Sequence, residues 1–332
     1  MRIPKWQISL PVIYGFVAAQ NTPLELQNLS PVQYVNTENL RIAYYDSGPK
    51  NTTTVLLLHG FPYDINVYYD VVQNLTRHGY RTVVPYLRGF GGTRFNSAVT
   101  PRSAEQAALG KDVVDLMDAI GLDRAIIAGY DWGTVAANVA VALWPERSVG
   151  MVAANSYLIQ NRSTALQPSI PASEALRWYY YVFLTPRGYA GLVQWPKEWA
   201  RTLWSRNSPQ WNFTESDLDR AMVAFDNADY PEIVVNFYRS RLLYTPGDPA
   251  YANLADALDA QPKIMVPSVT LDPTDSPVLP PANESVAAKF FAAPRIHHIL
   301  RDTGENIPQQ NPDAFTRAIL EVAELARSSG NL

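Results

Sequence analysis

The residues most able to do chemistry in this 332-residue chain are carboxylates set beside glycines. The segment AGYDWG, residues 128 to 133, places Asp131 between Gly129 and Gly133, where a strand-like run meets a helix-like one. A side chain presented on so sharp a turn needs small neighbours, because the backbone is strained and the helix packs close. A carboxylate there is stabilised by the helix N-terminus, and it can act as a nucleophile or simply as a helix cap. A second glycine turn, DTGEN, sets Glu305 directly after Gly304. The run VTLDPTD offers Asp272 and Asp275 beyond another strand. Carboxyl groups held close together can divide acid and base work between them. Metal chemistry has little material. There are no cysteines and only four histidines, and the adjacent His297 and His298 would point to opposite faces of a strand. No cofactor and no metal are expected.

Strands and helices must alternate to position these groups. VQYVNT and LRIAYYDSG read as two antiparallel strands with polar alternation. TTVLLLHG and RTVVPYL are short apolar, partly β-branched runs, as expected of strands buried on both faces. Residues 103 to 120 repeat apolar positions at helical spacing, with Ser103 as N-cap and Gly121 just past the end. RAIIAGYDWGTVAANVAVALWP gives strand, turn and helix, and VGMVAANS gives another strand. This order predicts an α/β fold, a mostly parallel sheet with helices on both faces. From residue 157 to 254 the texture becomes helical and rich in Trp and Tyr, without clear strands, which reads as an inserted helical lid. KIMVPSVTLD and RIHHIL return to strands, and PDAFTRAILEVAELARSS closes the chain as an amphipathic helix. The expected domains are therefore a core of 20–156 with 255–332, and a cap of 157–254.

Composition narrows the partners. A hydrophobic content of 47% supports a sizeable core, and a net charge of −4 leaves no basic footprint for nucleic acid. Arg2 and Lys5 precede an apolar stretch from Ile8 to Ala19, with small residues at Val17 and Ala19. That is the arrangement of a signal peptide over residues 1–19; the alternative is an amphipathic extension packed on the fold. The stretch is too short to span a membrane, and no other apolar run is long enough. Six Asn-x-Ser/Thr triplets, beginning at Asn28, Asn51, Asn74, Asn161, Asn212 and Asn283, fit a secretory route and a glycoprotein. The oligomeric state stays open.

The Asp131 elbow, LLLHGFP at residues 56 to 62 and LRGFGGT at residues 87 to 93 together resemble the α/β-hydrolase fold. Within it they resemble the epoxide hydrolase and haloalkane dehalogenase group, whose elbow residue is aspartate followed by tryptophan. The resemblance covers nearly the whole chain after the leader. It implies that Asp131 is the nucleophile and that the backbone N–H groups of Phe61 and Trp132 form the oxyanion hole. Tyr238, in NFYRSR, matches one of two lid tyrosines that hold and protonate an epoxide oxygen. Tyr179 matches the other, with Tyr180 or Tyr181 as alternatives. Asp275 matches the acid that orients the base, with Asp272 as the alternative. The chain departs from the pattern at the base itself: the family's turn reads glycine-histidine, and this one reads Gly304-Glu305, with Gln310 where a glutamate is usual.

A carboxylate is ordinarily a weaker base than imidazole by roughly two pKa units. Burial and neighbouring like charges both raise a carboxyl pKa, so Glu305 beside Asp131 and Asp275 has the means to become a competent base or acid. Three functions follow from the resemblance. The first is an epoxide hydrolase in which Asp131 forms an alkyl ester and Glu305 activates water. The second is a non-hydrolytic cyclase or isomerase in which a substrate hydroxyl opens the epoxide under acid–base catalysis. The third is an inactive binding protein or trapped variant. The aromatic lid points to a small-molecule, apolar, extended epoxide, and the resemblance extends to polyketide and other secondary-metabolite biosynthesis.

Overall fold

The computed structural model describes residues 28–332; the expected signal peptide lies outside the described residues. Nine strands form one sheet. They are β1 (Gln33–Asn36), β2 (Leu40–Ser47), β3 (Thr54–Leu58), β4 (Arg81–Pro85), β5 (Arg94–Phe95), β6 (Ala125–Gly129), β7 (Ser148–Ala154), β8 (Ser268–Pro273) and β9 (Arg295–Leu300). The order is β1-β2-β4-β3-β6-β7-β8-β9, with the short β5 also on β2. β1 with β2 and β2 with β4 run antiparallel, and every pair from β4 to β9 is parallel. The half-polar sequences of β1 and β2 suit this edge, whereas all residues of β3, β4, β6 and β7 are buried. Runs such as TVLLL and AIIAG, apolar at every position, are what a sheet covered on both faces requires.

Two helical layers cover it. α1 (Tyr69–Arg77), α2 (Gln106–Ala119) and α3 (Trp132–Leu143) lie in the first half of the chain. α2 packs on α3, which packs on β3, β6 and β7. Between β7 and β8 every described element is helical. These are α4 (Pro171–Leu176), α5 (Trp178–Phe183), α6 (Pro186–Gln194), α7 (Pro196–Asn207), α8 (Glu215–Phe225), α9 (Tyr230–Arg241) and α10 (Ala252–Asp259). After β8 come α11 (Glu284–Ala287), α12 (Ile307–Gln310) and α13 (Pro312–Ser328). α13 packs on β7, β8 and α1. The result is the α/β fold of the parallel-sheet kind.

Two details differ from the sequence reading. α2 starts three residues after Ser103, whose hydroxyl bonds the Glu105 carboxylate and whose carbonyl accepts from Arg88. A buried Arg88–Asp112 ion pair at 2.6 Å claims this corner and turns Ser103 away from a capping role. The expected cap boundary at residue 254 falls inside α10, which packs on α2 and α3, so the helical excursion ends where the chain rejoins the core.

Candidate active site

β6 delivers the chain to Gly129, and two residues later Asp131 sits at φ 53° and ψ −126°. A non-glycine residue with positive φ is strained and must be held by its surroundings. The holding is visible on both sides. A Cβ on Gly133 would lie 1.9 Å from the Leu58 carbonyl oxygen, so only glycine lets α3 begin this close to the end of β3. A Cβ on Gly60 would lie 2.4 Å from the Asp131 carboxylate, so the loop after β3 can run directly against it. From that loop the Phe61 N–H donates to Asp131 Oδ1 at 2.7 Å, and the Trp132 N–H faces the same carboxylate. His59 fixes the loop and does no proton chemistry. It is fully buried, accepts from the Leu87 N–H at 3.1 Å and donates to the Gly60 carbonyl. Burial drives its pKa down to about 4, so it is neutral.

Glu305 is 3% exposed and faces Asp131. Its N–H donates to the Asn207 carbonyl on α7, tying the turn to the helical excursion. One carboxylate oxygen accepts from the Ser276 hydroxyl, and the other, Oε1, is buried with no hydrogen-bond partner among the described residues. Burial, then the Asp131 charge, push the Glu305 carboxyl up to about 8, against the pull of Ser276. Asp131 is itself raised to about 6 by burial, while the two backbone amides and the Arg241 guanidinium pull it down. Of the two groups Asp131 therefore ionises first. Glu305 bears the repulsion and keeps its proton near neutral pH.

Aromatic side chains roof this pair. Tyr238, on α9, is 2% exposed, with its ring 5.9 Å from Phe61 and 5.6 Å from Tyr179 on α5. Burial, and Asp131 beyond it, push both tyrosine hydroxyls well above their usual pKa, so both remain proton donors. Trp132 stacks on Phe237 at 3.9 Å, and its indole N–H, buried without a partner among the described residues, is directed at Tyr238. The chamber thus has an ionised carboxylate, a protonated carboxyl and two phenols within an apolar wall.

A family model described as alpha/beta hydrolase fold matches residues 53–281. The chain belongs to the α/β-hydrolase family. It is a hydrolase similar to epoxide hydrolases. It is 25% identical over 325 residues to Epoxide hydrolase A of Mycobacterium tuberculosis, covering 86% of this chain and 95% of that one. To Epoxide hydrolase 2 of Siraitia grosvenorii it is 34% identical over 117 residues, 35% of each chain. A crystal structure of a putative epoxide hydrolase from Klebsiella pneumoniae superposes with a TM-score of 0.87 at 37% identity, over 90% of this hydrolase and 99% of that chain.

Not every candidate residue joins the site. Asp275 accepts from the Thr274 hydroxyl, and no hydrogen bond links it to Glu305; the adjacent Ser276 makes that contact instead. The tight turn after β8 reverses which side chain faces inward. Asp272 is buried behind the strand, accepting from the Ser156 hydroxyl and the Ala282 N–H. Of the consecutive tyrosines, Tyr179 and Tyr180 both lie against Tyr238, at 5.6 and 4.6 Å between ring centroids. Tyr181 is 43% exposed and bonds Glu174 at the surface. His297 and His298 stay on β9, against Thr270 and Glu321. Sequence reasoning missed Ser276, Arg241 and Tyr63. Tyr63 is 1% exposed, stacks on Trp204 and feels both Glu305 and Asp131. A polar residue next to a candidate acid was the only signal for Ser276.

Proposed function

We propose that this hydrolase opens an epoxide through a covalent ester on Asp131, with Glu305 as the group that activates water. The observation that carries the proposal is the Phe61 N–H on Asp131 Oδ1, with the Trp132 N–H facing the same carboxylate, at a strained elbow. Asp131 Oδ2 attacks an epoxide carbon, the ring C–O bond breaks, and Tyr238 or Tyr179 gives its proton to the departing oxygen. Esterification removes the Asp131 charge, and with it the repulsion that, on top of burial, holds the proton on Glu305. Glu305 then passes its proton to the tyrosinate and becomes the carboxylate that takes a proton from water. Water adds to the ester carbon. The Phe61 and Trp132 amides hold the oxyanion. Collapse breaks the bond to the alkoxide, which takes the proton from Glu305 and leaves as the diol, and the Asp131 acid so formed returns its proton to Glu305. Loss of charge at the nucleophile thus lowers the Glu305 pKa toward the value that burial alone sets and eases its action as a base.

The Trp- and Tyr-rich walls favour an apolar, extended epoxide of the natural-product kind. A second reading draws on the protonated Glu305: as an acid it opens an epoxide for attack by the substrate's own hydroxyl, with no ester. Glu305→Gln separates the two. By the ester route the first step survives and the second stalls, so intact-protein mass spectrometry finds substrate mass on Asp131. Direct cyclisation leaves no adduct, and that result rejects the ester. Secretion is proposed from the leader and the triplets, and N-terminal sequencing of the mature protein tests it.

A further inference from the structure

Arg241 ends α9, three residues and about 4.5 Å of helix rise beyond Tyr238. Its Nη1 is buried with no hydrogen-bond partner, and among the described residues no carboxylate makes an ion pair with it. The half-buried guanidinium lies 5.5 Å from the Phe237 ring, and its one buried, unbonded nitrogen leaves a place for a negative group to meet it. Its electrostatic pull reaches Asp131, but that carboxylate already accepts from backbone amides.

Arg241 also lines a cavity of about 430 Å³ that contains Arg177, Tyr180 and Leu279. This space adjoins the catalytic chamber on two sides. Tyr180 forms its wall and packs on Tyr238 at 4.6 Å. Leu279 belongs to the turn whose Ser276 bonds Glu305, and its N–H donates to that same Ser276 hydroxyl. Arg177 is anchored to the neighbouring Val278 carbonyl at 3.2 Å. The cavity's one acid, Glu174, faces outward: it is held by the Ser169 N–H and the Tyr181 hydroxyl, beside Arg177 rather than Arg241. The outer rim is mixed, with the apolar Leu166 and Tyr244 65% and 69% exposed beside the polar Gln167 and Ser169. The cavity therefore offers a cation at its inner end and both hydrocarbon and neutral polar groups at its mouth.

We propose that this cavity is the subsite for a carboxylate on the substrate, so that the epoxides taken are apolar acids whose carboxylate seats on Arg241, with Arg177 beside it, a few bonds from the ring. This rests on the epoxide reading above. The guanidinium fork matches a carboxylate in two parallel hydrogen bonds, and Tyr238 and Arg241 lie three residues apart on the same helix.

The test compares 7,8-epoxyoctanoate with its methyl ester, and measures binding of unreactive octanoate by calorimetry. The wild-type enzyme prefers the acid, through KM. Arg241→Gln lowers the ratio of acid to ester kcat/KM about 10- to 100-fold, whatever common factor both substrates lose, and abolishes octanoate binding; Arg241→Lys keeps a charge and most of the preference. Equal losses for acid and ester, or octanoate binding unchanged in Arg241→Gln, overturn the proposal. If neither epoxide turns over, the epoxide reading fails, and octanoate binding that depends on Arg241 still supports the carboxylate subsite.

Discussion

Replacing Glu305 with glutamine changes how stability depends on pH, and the structure gives both sign and size. The carboxyl is raised from an ordinary 4.5 to about 8 in the folded chain, by burial and by Asp131. A folded-state pKa above the unfolded one means the native protein holds a proton that the unfolded chain gives up. The stability this provides is complete below about pH 4.5 and drains away as pH rises to about 8. The full interval of three and a half pH units, at about 1.4 kcal/mol each, sets an upper limit of about 5 kcal/mol. Relaxation and water entry around the ionised pair bring the expected loss to about 2–4 kcal/mol. Glutamine keeps the shape of the protonated acid and an acceptor for Ser276, but has no proton to lose. Urea unfolding from pH 4.5 to 9 should show wild type and Glu305→Gln close together at the acid end. The variant should become the more stable by about 2–4 kcal/mol at the alkaline end. Asp131 titrates in both proteins and drops out of the difference. Stability curves that stay parallel across the range would refute a buried, proton-holding Glu305.

Four further outcomes follow from the same geometry. Asp131→Asn should leave less than about a tenth of the turnover, a barrier increase above about 1.4 kcal/mol, with thermal stability unchanged or raised because a buried charge is gone; steady-state assays and calorimetry check both. Tyr238→Phe should cost about 10²- to 10⁴-fold in the rate of ring opening while leaving ester hydrolysis intact, which pre-steady-state kinetics separates. Ser276→Ala removes the hydroxyl that favours the ionised Glu305, so the limb of the pH–rate profile belonging to that group should move to higher pH; an unmoved limb would detach Glu305 from the profile. Gly133→Ala should destabilise by about 3 kcal/mol or more, because its Cβ would meet the Leu58 oxygen at 1.9 Å; denaturation midpoints decide.

How much could be read in advance varied with the kind of constraint. The strands were legible because burial on both faces demands apolar residues at every position, as TVLLL and AIIAG supply. The Asp131 elbow was legible because Gly133 must clear the end of β3 and Gly129 must clear Gly133 at the start of α3, which leaves glycine as the residue that fits on either side. The neighbour of Glu305 was not. Which of Asp275 and Ser276 faces inward depends on the turn after β8, and one residue of difference exchanges the two sides. The tyrosine run at 179 to 181 posed the same problem on a helix: adjacent residues point about 100° apart, and two of the three end against Tyr238. Ser103 misled because a hydroxyl before a helical run reads as a cap, whereas the buried Arg88–Asp112 pair decides the local geometry. Arg241 carried no signal, since an arginine at a helix C-terminus is ordinary until its guanidinium proves, among the described residues, to have a nitrogen without a hydrogen-bond partner.

The central claim is that water reaches the Asp131 ester and not the substrate. Single-turnover reaction of excess enzyme with an epoxide in H₂¹⁸O, followed by peptide mass spectrometry, reads this directly. The covalent route puts ¹⁸O into the peptide containing Asp131 and leaves the first-turnover diol unlabelled. Label in that diol, or no label in either product or peptide, would contradict it.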